Sequence, residues 1–221
     1  MARTPSLYLY GVLRATEEQS FGAIGLGTPP ALVETVLHGN LAAVVSEGPA
    51  GVPDPTRDHL IAHQRVQEAV LREHTLLPAA FGLTFRDREQ VVELLRSGHD
   101  AFTGVLARLE GHIELGLKVL WDQDVISREV AEHDAQALVE ELRPQATAVR
   151  VVSPLGERMV LNAAFLVARE QEAAFDAKVR SLAARFERLA LLYTGPWAPY
   201  HFADILLRQE PETAELPEDP G

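Results

Sequence analysis

One run of alternating residues, which begins after Gly111, limits the possible folds of this chain more than any other stretch. Apolar side chains occupy every second position in it, at Ile113, Leu115, Leu117, Val119 and Trp121. A period of two is typical of a β-strand with one buried face. Glycine is a common residue just past the end of a helix, so Gly111 predicts a preceding helix end and a domain boundary.

The residues that follow this strand predict a repeated pattern of helix and strand. Residues 124–142 are expected to form a helix, and residues 149–152 a short strand. Residues 159–167 are apolar on both faces, so they predict either a central strand or a buried helix. A further helix around Phe175 and a strand at residues 189–194 complete the series. The order β-α-β-β-α-β predicts a ferredoxin-like fold.

The residues before Gly111 also mix strands with helices. The predicted elements are a strand at residues 6–13, a loop at 19–30, a hairpin of strands 32–37 and 41–45 that turns at Gly39-Asn40, a helix at 56–74 and a short edge strand at 77–85. Asp87 and Gln90 have the spacing of a capping box, which predicts the start of another helix. Gly98 inside that helix predicts a kink or a split.

Together these elements predict an α+β protein with two domains. We assign residues 1–110 to an N-terminal mixed α+β domain and residues 111–207 to a C-terminal ferredoxin-like domain. Residues 208–221 carry five acidic residues and three prolines, with almost no apolar side chains. Such a segment cannot bury enough apolar surface to offset the entropy of ordering, so we expect an acidic, disordered tail.

The composition argues against several classes of partner. The 221 residues carry a formal net charge of −12, which disfavours both nucleic acid and anionic membrane surfaces. The chain has no cysteine, so disulfides and thiolate chemistry are excluded. No apolar stretch reaches the roughly 18 residues that a transmembrane helix needs. The first residues lack the pattern of a secretion signal, and we expect a cytoplasmic protein.

Few side chains form a pattern typical of catalysis or of ligand binding. His59 and His63 share one face of the predicted helix, but they lack an obvious third metal ligand, and His63 falls on the apolar stripe. Glu110 and Glu114 are a conceivable acid–base pair, although ion-paired or solvated carboxylates are far more common. The glycines in residues 22–27 do not lead into a helix N-terminus, as a phosphate loop would. We therefore expect no metal, no cofactor and no enzymatic activity.

The predicted helix at residues 56–74 also carries a charged face. Its charged side chains include Arg57, Arg65, Glu68, Arg72 and Glu73. Opposite charges three or four residues apart on a helix stabilise each other on its surface. The sequence therefore predicts a solvated face with ion pairs between successive turns.

Residues 194–202, which we call the aromatic segment, combine two prolines and a glycine with three aromatic side chains. Proline fixes φ, so the segment loses little entropy when it becomes ordered. Trp197, Tyr200 and Phe202 carry large apolar surfaces, but no nucleophile or ligand set accompanies them. Two interpretations remain open. The segment fills the core of the second domain, or it forms a contact surface for a partner, with Pro196 included.

Five segments in order resemble the gas vesicle protein GvpF/GvpL family, and the resemblance spans roughly residues 6–205. They are residues 7–11 (LYLYG), 77–82 (LPAAFG), 111–122 (GHIELGLKVLWD), 158–167 (RMVLNAAFLV) and 194–202 (TGPWAPYHF). His63 in its helix matches as well. Ala198 stands where a second consecutive proline is expected, which loosens the aromatic segment slightly. The match does not separate GvpF from GvpL.

The resemblance implies a non-enzymatic accessory protein of gas vesicles, with two α+β domains of which the second is ferredoxin-like. It implies a minor vesicle component that binds the hydrophobic shell protein GvpA, along with other accessory gas vesicle proteins. We expect it to support nucleation and assembly by limiting aggregation of GvpA, with Pro196, Trp197, Tyr200 and Phe202 as partner-binding residues. A purely structural wall component and a ligand-binding sensor remain alternatives.

Overall fold

The computed structural model of the chain describes residues 6–48, 51–205 and 207, and the tail expected at residues 208–221 lies outside these residues. In chain order the elements are β1 (Ser6–Arg14), β2 (Ser20–Ala23), β3 (Leu32–His38), β4 (Leu41–Gly48), α1 (Arg57–Leu71), β5 (Leu77–Pro78), β6 (Thr84–Phe85), α2 (Arg88–Ser97), α3 (His99–Leu109), β7 (His112–Leu120), α4 (Arg128–Leu142), β8 (Ala148–Val152), β9 (Met159–Ala168), α5 (Glu172–Arg185) and β10 (Ala190–Trp197). They confirm the mixed α+β class.

The first sheet is antiparallel and is built around β1. Its strands lie in the order β2-β3-β4-β1-β5, and β6 also pairs with β1. The hairpin of β3 and β4 turns at Gly39 and Asn40, as predicted. The loop expected at residues 19–30 is wrong in part, because Ser20–Ala23 forms β2 at the sheet edge. None of its side chains is buried, so no apolar period marks this strand in the sequence.

The helices of the first half begin and end close to the predicted residues. Thr56 caps α1 by accepting a hydrogen bond from the backbone N–H of His59, and the helix ends at Leu71. The Asp87 carboxylate accepts the N–H of Gln90 at the start of α2, as the capping box predicts. Gly98 splits the predicted helix into α2 and α3. In the described part of the chain, no helix has both the length and the apolar character needed to cross a bilayer.

The second sheet has the strand order β10-β7-β9-β8 and is also antiparallel. The predicted element order is confirmed, with α4 between β7 and β8 and α5 between β9 and β10. Residues 159–168 form a central strand that pairs on both sides, which settles the choice between strand and buried helix. The helix α4 begins at Arg128, after Ser127 as N-cap, because residues 122–126 form a turn first.

Three clusters of buried side chains form the core. One lies between the second sheet and the helices α4 and α5. The other two lie in the first half, but they also include residues from the second, among them Ala164, Leu166, Ala198 and Phe202. The opposite face of the second sheet therefore packs in part against the first half of the chain. The division between residues 110 and 111 stays a prediction.

Gly11 lies where β1 changes register against β4 and passes close to β5. A Cβ atom at this position would lie 2.6 Å from the carbonyl oxygen of Leu77. Gly11→Ala should lower the free energy of unfolding by about 1–3 kcal/mol, because the backbone of β5 must move. Chemical denaturation measures this change.

Gly104→Ala is the matched control for this prediction. Gly104 lies on the exposed side of α3, and an added Cβ would meet nothing within 4 Å. Alanine is a better helix former than glycine, so this variant should be about 0.5–1 kcal/mol more stable. Equal effects of the two substitutions would contradict the close approach of β1 to β5.

Candidate functional site

The last strand delivers the aromatic segment to the boundary between the two sheets. Thr194 pairs with Gly116 and Trp197 pairs with Glu114, so the strand bulges between these two pairs. Gly195 has a φ of +124°, and a Cβ there would lie 2.9 Å from the carbonyl oxygen of Glu114. Glycine is needed here because other residues rarely adopt this conformation and no space exists for a side chain. The bulge therefore decides where Trp197 is placed.

A tight turn follows and sends alternate side chains in different directions. The backbone N–H groups of Phe202 and Ala203 donate to the carbonyl of Pro199 at 3.2 and 3.0 Å. Phe202 is only 7% exposed and joins the core of the first half. Tyr200 is half-buried and turns toward α1. The segment is thus anchored by its C-terminal residues.

The hydroxyl of Tyr200 is bonded to groups of the first half of the chain. It donates to Oε1 of Gln67 at 2.6 Å and lies 3.0 Å from the carbonyl oxygen of Ala79. The amide of Gln67 donates in turn to the carbonyls of Tyr10 and Ala79, at 2.8 and 3.1 Å. Burial raises the pKa of Tyr200 to about 12, so the hydroxyl keeps its proton at neutral pH. We call this set the Tyr200 network.

His63 extends the Tyr200 network into the core of the first half. Its Nε2 lies 3.2 Å from the carbonyl of Ala79, which only accepts, so the proton of the neutral ring sits on Nε2. Its Nδ1 then accepts from the Tyr8 hydroxyl at 2.8 Å, and that hydroxyl accepts from the N–H of Gly82. Burial lowers the pKa of His63 to about 4. His63, which falls on the apolar stripe as the sequence predicts, is thus a buried and hydrogen-bonded core histidine.

A second anchor joins the aromatic segment to β7. Glu114 is 4% exposed and accepts from the backbone N–H of His201 at 2.9 Å. Its other carboxylate oxygen lies 2.6 Å from Nδ1 of His201. This hydrogen bond raises the pKa of His201 above its usual value. Glu114 is therefore a hydrogen-bonded carboxylate that forms an ion pair when His201 is protonated, whereas Glu110 pairs with Arg14 at 3.7 Å.

Between these anchors lies an open, largely apolar cleft of about 420 Å³. Helix α1 forms one side of it, and the aromatic segment forms another. The lining residues are Leu60, His63, Gln64, Gln67, Glu68, Phe81, Glu114, Trp197, Ala198, Tyr200 and His201. Leu60 is 44% exposed, and Trp197 is half-buried. We call this space the Trp197 cleft.

The four residues predicted to bind a partner occupy different environments. Pro196 is exposed and lines a second cleft that adjoins the Trp197 cleft. Trp197 lines both of these clefts. Tyr200 and Phe202 point inward and hold the segment in place. Sequence reasoning did not assign Leu60 or the rest of the α1 wall to a site, although the spacing of residues 60, 64, 67 and 68 marks one helix face.

The remaining candidate groups take other roles. Nδ1 of His59 is exposed and lies 2.8 Å from the carbonyl of Asp54, so His59 and His63 have different partners. Over the described ranges, no three histidine or acidic side chains are grouped so that they could hold a metal. Near the glycines of residues 22–27, the N–H of Gly25 bonds the carbonyl of Ala31 and the N–H of Leu26 bonds Tyr10. These two N–H groups therefore donate hydrogen bonds within the protein.

Comparison with known proteins identifies the family. The profile of the gas vesicle synthesis protein GvpL/GvpF family matches residues 6–137 and 128–204. The chain belongs to the GvpL/GvpF family. Its role therefore lies with gas vesicles, and the sequence resemblance is confirmed.

Individual members of the GvpL/GvpF family align along nearly the whole chain. Gas vesicle protein F1 of Halobacterium salinarum is 31% identical over 211 residues, which cover 94% of this chain and 97% of that protein. Gas vesicle protein L of a Streptomyces species is also 31% identical, and the match covers 94% of this chain and 96% of the relative. The crystal structure of GvpF from Anabaena sp. PCC7120 superimposes with a TM-score of 0.81 at 28% identity, covering 93% and 99% of the two chains.

The buried neutral state of His63 predicts acid sensitivity. Its pKa falls from 6.5 in the unfolded chain to about 4 in the folded protein, so the unfolded state takes up the proton first as the pH drops. The neutral His63 ring makes its full contribution to the free energy of unfolding above pH 6.5. This contribution is lost as the pH falls through the folded pKa of about 4. Acidification from about pH 7 to about pH 5 should cost about 2 kcal/mol through His63.

Denaturant unfolding of the native protein and of His63→Gln at both pH values measures this contribution. The variant lacks the titrating ring, so its free energy of unfolding should fall about 2 kcal/mol less over this interval. His201 acts in the opposite sense, because its pKa is raised in the folded protein. Its contribution to stability is complete below the unfolded pKa and is lost as the pH rises. It is present in both proteins, so its effect cancels. Identical pH profiles would contradict a buried neutral His63.

The contact between Glu114 and His201 predicts a measurable titration. The pKa of His201 should lie above 6.5 in the native protein, because the carboxylate accepts from the charged ring. Glu114→Gln removes this charge, so the pKa of His201 should fall. Two-dimensional NMR of the imidazole C–H groups follows both titrations, and His112, whose ring bonds Glu110 and Thr147, is the control. An unchanged His201 titration would mean that the two side chains are apart in solution.

Proposed function

We propose that this chain is an accessory gas vesicle protein and a minor vesicle component that binds the hydrophobic shell protein GvpA. Binding would limit GvpA aggregation and so support nucleation and assembly of the vesicle. The observation that carries the proposal is the Trp197 cleft, an open and mainly apolar space between α1 and the aromatic segment. A subunit that forms an apolar wall exposes a large apolar surface while it is free, and such surfaces aggregate.

The cleft offers suitable contacts for an apolar partner. Leu60 is 44% exposed on α1, opposite the half-buried Trp197. Exposed apolar side chains next to an aromatic residue in a concave site are typical of interface hot spots. We propose that Pro196 and Trp197 make direct contacts, while Tyr200 and Phe202 keep the aromatic segment in position. In this proposal the aromatic segment serves both as part of the core and as a contact surface, the two interpretations that the sequence left open.

The charge of the chain supports the same function. A formal net charge of −12 keeps protein molecules apart through mutual repulsion. A complex in which the apolar surface of GvpA faces this chain would present the acidic surface to water. We propose that the complex stays dispersed in the cytoplasm for this reason, and that other accessory gas vesicle proteins join it there.

A ligand-binding sensor is the second candidate, because the cleft lies between the two halves of the chain. Its inner polar groups, however, already bond to each other: Tyr200 to Gln67, and His63 to Tyr8. A ligand would have to break these bonds to recruit them, which costs free energy. We therefore favour a protein partner and propose no catalytic role for the chain, whose two halves would act as one binding platform.

Replacement of Trp197 by alanine tests the proposal directly. Trp197→Ala should weaken binding to GvpA about tenfold or more, because truncation removes a large contact surface. Trp121→Ala is the matched control. Trp121 is half-buried outside the Trp197 cleft and donates to the carbonyl of Glu157. The soluble fraction of co-expressed GvpA, and its recovery with the tagged chain, measure binding.

Three outcomes distinguish the interpretations. Retained solubility of GvpA with the native chain and with Trp121→Ala, but not with Trp197→Ala, supports the proposal. If co-expression of the native chain leaves the solubility of GvpA unchanged, the proposed function is wrong. If Trp197→Ala lowers the free energy of unfolding as strongly as a core truncation, Trp197 is a core residue and not a contact residue.

A further inference from the structure

A second, more polar compartment continues the Trp197 cleft toward the C-terminal end of α1. It has a volume of about 300 Å³ and is lined by Leu71, Arg72, Arg169 and Pro196, besides Glu68 and Trp197. The last two residues also line the Trp197 cleft, so the compartments adjoin. We call the two together the α1 groove. From Leu60 to Arg72 the groove follows the helix for about 18 Å, at 1.5 Å per residue.

The guanidinium groups of this compartment lack carboxylate partners. Among the residues that the structure describes, neither Arg72 nor Arg169 has a carboxylate within 4.0 Å. Arg169 donates instead to the carbonyl of Leu71 at 2.8 Å. Among the described residues, Arg57 and Arg65 also lack a carboxylate partner. The prediction of ion pairs along α1 is therefore wrong for its three arginines. Arg57, Arg65 and Arg72 are exposed, so water solvates their guanidinium groups.

Among the residues that line this compartment, Glu68 is the one acid, and it does not cancel the positive charge of the two arginines. Glu68 lines both compartments, but its carboxylate accepts from the side-chain amide of Gln64 at 2.7 Å. Two positive charges therefore face one negative charge in a chain whose formal net charge is −12. A local excess of positive charge beside an apolar cleft is complementary to a ligand that carries an acidic group next to an apolar one.

We propose that the α1 groove binds a segment of GvpA in which an apolar side chain and a carboxylate are neighbours, an inference that rests on the proposed function. The apolar side chain enters the Trp197 cleft, and the carboxylate contacts Arg72 and Arg169. Arginine suits this contact because its planar guanidinium group donates to both oxygens of a carboxylate. The length of the groove fits a polypeptide segment, and the acidic remainder of the chain disfavours a polyanion.

Reversal of the charge at position 72 tests this inference. Arg72→Glu should weaken the binding of GvpA about tenfold at low salt, because two carboxylates would then face each other. The difference from the native chain should shrink at high salt, which screens exposed charges. Arg65→Glu is the matched control, since Arg65 is exposed on α1 without an ion pair and does not line the groove. Unfolding midpoints should be similar for all three proteins.

Exchange of charge across the interface identifies the partner group. Each carboxylate of GvpA is replaced in turn by lysine, and one such variant should bind the Arg72→Glu chain more tightly than native GvpA does. If Trp197→Ala weakens binding while Arg72→Glu and Arg65→Glu behave alike, this inference is wrong and the proposed function stands. If native GvpA does not bind the native chain, the proposed function itself fails. An oligonucleotide that binds the native chain but not Arg72→Glu would assign the groove to nucleic acid and overturn the inference.

Discussion

The Tyr200 hydroxyl makes the contacts on which the candidate site depends. It donates to Gln67 of α1 and lies 3.0 Å from the carbonyl of Ala79, to which His63 donates from inside the core. These groups belong to the first half of the chain, whereas Tyr200 follows the last strand of the second half. Because Gln67 and His63 are buried and their polar groups are paired, breaking one bond leaves an unsatisfied partner. The network therefore holds the aromatic segment against α1 and keeps the cleft in shape.

The α1 groove combines two properties on a chain whose formal net charge is −12. Its wall near Leu60 and Trp197 is apolar, whereas its end near Arg72 and Arg169 is positive. An apolar wall alone would attract any exposed apolar surface, and a positive end alone would attract any anion. The proposed partner would have to present both features at the right separation, which is how charge adds specificity to hydrophobic contact.

Regular elements with a clear apolar period were predictable from the chain. The alternation in β7, the hairpin at Gly39 and the N-cap at Asp87 are local patterns, and each is confirmed. The strand β2 escaped prediction because none of its side chains is fully buried and its pairing with β3 is not a local property. Residues 159–168 could not be assigned until their neighbours in the sheet were known.

The sequence by itself determined the family, the α+β class and the aromatic segment as a candidate site. Only the tertiary structure decided what that segment touches. Tyr200 and Gln67 are separated by 133 residues, and His201 and Glu114 by 87, so no local pattern relates them. The positive end of the groove likewise arises because Arg169 is brought beside the end of α1. Periodicity records the burial of one face, whereas contacts between distant residues follow from the packing of complete elements.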